Sequence, residues 1–302
     1  MFPKSLIRYL GMGVLAMATS FTNAIAAEPA ESQSSLPLTL KVYNNPDPKG
    51  MQVSSVIVMG QKEAILLDAQ FTLADAHRVV ADVLESGKKL TTVFVTQADP
   101  DYYFGLTVIK QAFPEARFLT TAASLKHIQQ TADKKLEVWG PQLGNNGPKS
   151  IVFPDALSGD SLTLEGKQLQ IIPGAGTRTD FATVWIPSIK AIVGGVQIFG
   201  DLHVWTADSQ AKKERTDWIK SLDKIAALKP EIVIPGHMKA GSAQNATTIT
   251  FTRDYLVTFE KELEKSKDST ALIAAMKERY PNAGFEGVLE FGAKVNKGEM
   301  KW

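Results

Sequence analysis

The sequence predicts an α/β fold in which two stacked sheets are flanked by helices within a single domain. Three observations lead there. Short β-rich runs alternate with amphipathic helical stretches along the chain, strand pairs are split by tight turns, and no period of roughly 20–50 residues marks a repeat array. Composition agrees. The 302 residues are 44% hydrophobic, with 33 Lys and Arg against 32 Asp and Glu, which suits a globular protein with one sizeable core.

Residues 1–26 stand apart from that core. Lys4 and Arg8 precede an apolar run from Leu10 to Ala18, and Ala24-Ile25-Ala26 offers small residues for cleavage. This is the layout of a secretory signal peptide, and the run is short of the about 20 residues needed to span a bilayer. Cleavage removes two of the 33 basic residues and no acid, leaving 31 against 32. No electrostatic footprint for nucleic acid or anionic membrane is expected. Cysteine is absent, which excludes disulfides, thiolate chemistry and lipidation through cysteine. The expectation is a periplasmic or secreted protein without membrane insertion after signal cleavage. Residues 27–37 read as a flexible lead-in and 38–302 as the domain proper; nothing in the sequence specifies an oligomeric state.

Residues 53–59 and 63–67 are β-rich and separated by Gly60-Gln61, a hairpin signal. Thr72 is placed to cap a helix whose Leu73, Ala76, Val79, Val80 and Leu84 share a face, and Gly87 ends it. A buried strand at 92–95 runs into the polar segment 97–101. A short helix at 105–113 stops at Pro114, a strand follows at 117–119, and 124–138 is helical. Two β-rich pieces surround Gly166 within 161–172, and 183–186 with 191–196 makes another pair. A long helix at 209–228 ends before Pro230, and a short strand covers 232–234. Tyr255, Leu256, Phe259 and Leu263 mark a helix at 252–265, and 272–280 is the last helix predicted.

The segment Thr96-Gln97-Ala98-Asp99-Pro100-Asp101-Tyr102, with Gly105 beyond it, resembles the signature of the metallo-β-lactamase superfamily. That signature is a strand ending in Thr-His-x-His-x-Asp-His and then Gly. Thr96, Asp101 and Gly105 match, while Gln97, Asp99 and Tyr102 replace the three histidines. Leu66-Leu67-Asp68 resembles the family's strand ending in Asp. Pro173-Gly174-Ala175 resembles its Pro-Gly-His, with Ala175 for the histidine, and Gly194-Gly195-Val196 its strand ending in Gly-Asp, with Val196 for the bridging aspartate. Pro235-Gly236-His237 keeps the last ligand. The resemblance runs from about Val53 to His237 and implies a four-layer αββα sandwich of the metallo-β-lactamase type.

Zinc ions in this family depress the pKa of a bound water to about 7, which makes hydroxide available at neutral pH. Of the ligand positions that hold two of them, this chain keeps Asp101 and His237. A dinuclear centre is therefore expected to be lost, and no resident metal is expected. Asp101 and His237 stand as the catalytic candidates and Gln97, Asp99, Tyr102 and His203 as pocket residues. Two classes of function stay open. The first is an exported binding or accessory protein that holds a small-molecule ligand. The second is a hydrolase of an ester, lactone or related small molecule with a reworked site. That site would carry a single divalent metal (Mn, Fe or Zn) on Asp99, Asp101 and His237. Alternatively it would use His237 as a metal-free general base oriented by Asp101, with Tyr102 as oxyanion donor. A purely structural or interaction role is a third reading. No Gly-x-Ser-x-Gly elbow is present.

His203 and Trp205 follow the lost bridging position, where they can reach a pocket mouth. Tyr102, Tyr103 and Phe104 either stack on a ligand or fill vacated space. His77 and His127 lie within helical stretches far from any ligand segment and read as solvated. The charged residues at 212–215 and 261–267 read as solvated faces.

Overall fold

The structure, a computed structural model, describes residues 36–302. The expected signal peptide at 1–26 and the lead-in up to residue 35 lie outside the described residues. A six-stranded sheet runs in spatial order through β1 (Thr39–Asn44), β2 (Ser54–Met59), β3 (Glu63–Leu67), β4 (Lys89–Val95), β5 (Arg117–Thr120) and β6 (Asp155–Ala156). Its first two pairings are antiparallel and its last three parallel. Parallel neighbours need crossovers. These are α1 (Leu73–Ser86), α2 (Pro100–Tyr103) with α3 (Leu106–Ala112), and α4 (Ala122–Leu143).

The second sheet contains β7 (Ser161–Leu164), β8 (Lys167–Pro173), β9 (Ala182–Ile186) and β10 (Ala191–Val193). After the short β11 (Phe199–Gly200) and α5 (Lys212–Ala227), β12 (Ile232–Ile234) joins beside β10 in parallel. β13 (His237–Met238) pairs with β11 as a separate ribbon. The chain then continues as α6 (Thr247–Lys265), α7 (Ser269–Arg279) and α8 (Glu286–Asn296). Among the described residues no helix is long and apolar enough to cross a membrane.

Strand alternation explains the four layers, because successive side chains of a strand point to opposite faces. On β3, Ile65 and Leu67 enter a core shared with Val184, Ile186 and Val193 of the other sheet. Ala64 and Leu66, which alternate with them in sequence, join the cluster that holds Ala76, Val79 and Val83 of α1. β10 repeats the device: Ala191 and Val193 face the opposite sheet, whereas Ile192 belongs with Trp218 and Leu222 of α5. The expected αββα sandwich follows from this two-sided burial.

Local signals account for most element ends. The Thr72 side chain accepts from the Asp75 N–H, and Gly87 closes α1 at φ 65°, a conformation glycine adopts without steric cost. Differences from the sequence reading arise where packing outweighs propensity. α4 continues through Pro141 to Leu143, and Trp139 in that last stretch packs edge-on to Phe71 at 5.5 Å. β1 and α8 were not predicted from pattern. α8 begins at the left-handed Phe285 and carries two glycines, yet buries Val288, Leu289 and Val295, so tertiary contact holds a stretch of weak helical preference.

The expectation of a solvated face at 212–215 fails at Arg215, which is buried. Its Nε lies 2.7 Å from Glu260 Oε2, and Nη1 donates to the carbonyls of Ser209 and Gln210 and to Asn296 Oδ1. One guanidinium thus ties α5 to α6 and α8 through a fork of donors that lysine lacks. Arg215→Ala is expected to lower the unfolding free energy by about 3 kcal/mol, since it strands buried acceptors and a carboxylate. Urea denaturation with an unchanged m-value checks it; a loss below about 1 kcal/mol, the scale of an exposed ion pair, would show that the fork carries little.

Candidate functional site

The site is framed at the ends of β3 and β4. Asp68 leaves β3 at φ 66° and is buried. Its carboxyl accepts from the Thr96 N–H at 2.7 Å and meets the Thr96 hydroxyl at 2.9 and 3.0 Å. Burial pushes Asp68 up to about 8, against the lowering effect of those bonds. The following residues pin the segment that carries Asp99 and Asp101. The Ala69 N–H donates to the Tyr102 carbonyl, and the Gly105 N–H to the Gln70 carbonyl. A Cβ on Gly105 would stand 1.9 Å from the Ala69 carbonyl oxygen, so only glycine permits this approach.

Two pairs of titratable groups follow. His237 Nε2 lies 3.3 Å from Asp101 Oδ2, and its Nδ1 is 2.8 Å from the Met51 carbonyl. A carbonyl only accepts, so Nδ1 carries the proton and Nε2 presents its lone pair to Asp101. Burial lowers the His237 imidazole to about 4, while burial and then the neighbouring Asp99 charge raise Asp101 well above the usual carboxylate range. The consistent state is neutral: the Asp101 acid proton faces the Nε2 of a neutral imidazole.

Asp99 forms the second pair, with Lys135 of α4. The Lys135 ammonium lies 2.7 Å from Asp99 Oδ1 and 3.0 Å from the Ala98 carbonyl. The Gln97 amide donates to Asp99 Oδ2 at 2.5 Å. Burial acts to raise Asp99, but Lys135 outweighs it and holds the carboxyl below its ordinary value. Burial likewise opposes the Lys135 charge, and Asp99 overcomes that to raise the ammonium. This pair is ionised.

Both pairs open onto a narrow pocket of about 40 Å³. Asp99, Asp101 and His237 line it, as does Val196 at the lost bridging position. Its remaining walls include Lys135, Asp208 and the rings of Phe71, Trp139, Trp205 and Trp302. The other residues singled out in the sequence lie elsewhere. Gln97 is buried behind Asp99, with Oε1 lacking a partner. Tyr102 packs edge-on to His237 at 5.5 Å. Its buried hydroxyl has no hydrogen bond, and a Cβ on Gly236 would come within 2.7 Å of it. Tyr102 therefore fills space between strand ends and does not face the pocket. His203 is buried away from the pocket with Nδ1 2.9 Å from the Tyr255 hydroxyl, and burial lowers it to about 4. His77 is exposed, and His127 Nδ1 lies 3.0 Å from Asp180 Oδ2. Lys135 and Asp208 were missed because neither belongs to a spaced motif.

Zinc ions of the kind implied by the resemblance do not fit these donors. Both Asp99 oxygens are engaged, one by a fixed ammonium that repels a second cation. Ala175 and Val196 offer no donor atom, and the orphaned Gln97 oxygen is a neutral amide. Among the described residues no group of three His, Asp or Glu is arranged to hold a metal ion.

Comparison with known proteins adds a family to this geometry. A sequence model of the metallo-beta-lactamase superfamily matches residues 48–237. The type 2 metallo-beta-lactamase of Bacteroides fragilis is 26% identical over 194 residues, covering 63% of this chain and 71% of that protein. The solved DIM-1 metallo-beta-lactamase matches with a TM-score of 0.52 at 18% identity, over 74% of this chain and 98% of that one. A metallo-beta-lactamase from Pontibacter korlensis gives 0.51 at 18%, over 68% and 87%. At these identities the structural likeness speaks for the fold alone.

Two outcomes are expected from the protonation states. Asp68, near 8 when folded, lies above its ordinary 3.8, so folding takes up a proton and this group's contribution to stability falls as pH rises from about 4 to about 8. Asp68→Asn keeps an acceptor and a donor for Thr96 without that proton uptake, and should gain on the wild type in urea midpoint from pH 5 to pH 8; parallel profiles would refute it. For His237, long-range ¹⁵N NMR should show an Nδ1–H tautomer that stays neutral at pH 5.5. A titration midpoint near 6.5 would contradict the buried neutral pair.

Proposed function

Because this chain belongs to the metallo-β-lactamase superfamily, we propose that it keeps the family scaffold and pocket as an exported small-molecule binding protein that works without a dinuclear zinc centre. The observation that carries this reading is the Lys135 ammonium 2.7 Å from Asp99 Oδ1. A side-chain cation balances the carboxylate where a metal would otherwise do so, and it offers no open coordination position and no bound water to activate. What is left facing the pocket is a neutral Asp101–His237 pair, an ion pair and a wall of aromatic rings. Those features serve recognition, since binding sites are mostly apolar with a few convergent polar groups.

The hydrolase alternative needs His237 as a free base. Its Nδ1 is committed to Met51 and its Nε2 faces Asp101, which supports the binding reading instead. Export rests on the Lys4, Arg8 and Leu10–Ala18 pattern in the sequence.

The mature protein, incubated with Zn, Mn or Fe salts and desalted, is expected to retain less than about a tenth of an equivalent of metal by elemental analysis. It should leave β-lactam, ester and lactone probes intact. Stoichiometric metal that Asp101→Ala and His237→Ala abolish would overturn the reading.

A further inference from the structure

The outer wall of the pocket holds a carboxylate that the lost metal chemistry does not explain. Asp208 Oδ2 accepts from the Trp205 indole N–H at 2.6 Å, and Oδ1 from the Trp302 indole N–H at 2.5 Å. Among the described residues no cationic side chain pairs with the Asp208 carboxylate, although the Arg178 guanidinium donates to the Asp208 backbone carbonyl and Lys135 lines the same pocket. The two indoles differ in how firmly they are held. Trp205 stacks on Phe291 with centroids 5.2 Å apart and planes 17° from parallel. Trp302 meets Trp205 and Phe291 edge-on, at 5.7 and 4.9 Å, and remains 48% exposed. It stands between the narrow pocket and a broad groove lined by α4 and Arg178, bordering both.

The free volume of about 40 Å³ holds a few waters, whereas benzene occupies an apolar cavity of about 150 Å³. A ring-sized ligand therefore enters only where a wall gives way. Asp101 and His237 are buried and paired, the half-buried Lys135 is held by Asp99, and Trp139 packs on Phe71. Trp302 is the half-exposed member of the lining that makes one polar bond through its side chain.

We propose that the Trp302 indole occupies a recognition slot for a planar aromatic ligand bearing an N–H donor, above all a cationic one, which displaces Trp302 and donates to Asp208 Oδ1. This rests on reading the pocket as a small-molecule site. Chemistry selects the class. Loss of Trp302 leaves a partly buried carboxylate oxygen without its donor, so a plain hydrocarbon ring pays a penalty that an N–H donor avoids. Trp205 and Phe291 supply the edge-and-face surface that aromatic rings prefer. A positive charge gains from Asp208 and from the ring faces, whereas an anionic ligand meets Asp208 with like charge, the Asp99 charge being balanced by Lys135.

The test is calorimetric titration of the full mature protein with tryptamine, indole, naphthalene-2-methanol and indole-3-acetate, in wild type and Trp302→Ala. Tryptamine is expected to bind Trp302→Ala at least about tenfold more tightly than wild type, and at least about tenfold more tightly than the hydroxymethyl or carboxylate probes. Trp302→Phe, which keeps a ring and loses the N–H, should fall between. Asp208→Asn in the Trp302→Ala background should bring tryptamine down to the level of naphthalene-2-methanol. Circular dichroism checks that each variant is folded. Equal tryptamine affinity in wild type and Trp302→Ala overturns the inference, as does equal affinity for tryptamine and naphthalene-2-methanol. Failure of the broader reading shows separately, as stoichiometric zinc held by Asp101 and His237 in the wild type.

Discussion

Carboxyl groups gathered at buried strand ends must be neutralised, and the way this chain neutralises them shapes the rest of its site. Asp99 and Asp101 sit on one turn after β4, and Asp208 faces the same pocket. Leaving such groups charged and unpaired away from water costs several kcal/mol each, on the order of the whole stability of a domain. Asp99 is balanced by Lys135, and Asp101 by holding its proton toward a neutral His237. Neither solution is a strong source of net stability, because a buried ion pair roughly returns what its desolvation removes. Each is a constraint. α4 must hold Lys135 within 2.7 Å of Asp99, and the packing of Trp139 on Phe71 and the bond from Ser124 Oγ to the Asp180 carbonyl fix α4 for that task.

The frame beneath these groups depends on little of this chemistry. Asp68 on Thr96, the crossed backbone bonds from Ala69 and Gly105, and the close approach at Gly236 hold the strand ends whatever side chains project from them. A Cβ at Gly236 would stand 2.2 Å from the Gly195 carbonyl oxygen. Such positions are set by backbone geometry, which explains how the scaffold keeps its shape where three segments carry other residues at the family's ligand positions. Tyr102 is part of the accommodation: its ring fills room next to His237 and leaves its hydroxyl without a partner.

Legibility in the sequence divides along the same line. Alternation on β3 and β10, the Thr72 and Gly87 caps and the order of the strand-end motifs were readable, because period and turn chemistry are local. Those motifs also placed Asp99, Asp101 and His237 at one pocket. Lys135, Trp139, Asp208 and Trp302 were not readable, since which helix face or loop meets the pocket is decided by packing over 30 or more residues of intervening chain. Arg215 illustrates the same limit: a charge in a run of charges reads as solvated until three helices close around it. His203, a pocket residue by its place in the sequence, and Trp205 two residues on lie in a segment that is not a regular strand. Trp205 lines the pocket while His203 turns to Tyr255.

A metal centre and an internally balanced one differ in what they do to a bound molecule. An open divalent cation keeps an uncompensated field at the pocket, polarising whatever enters and acidifying water. Here the Asp99 charge is spent on Lys135, and the Asp101–His237 pair has no net charge to offer. The field that remains comes from Asp208, whose two indole donors soften the carboxylate without neutralising it. The net charge of the pocket therefore lies at its aromatic wall and not at the strand ends. Hydrolysis needs a strong field at the reacting atom; recognition needs shape and a few convergent polar groups. The residues at the strand ends serve the fold, and those that distinguish this pocket stand on its outer wall.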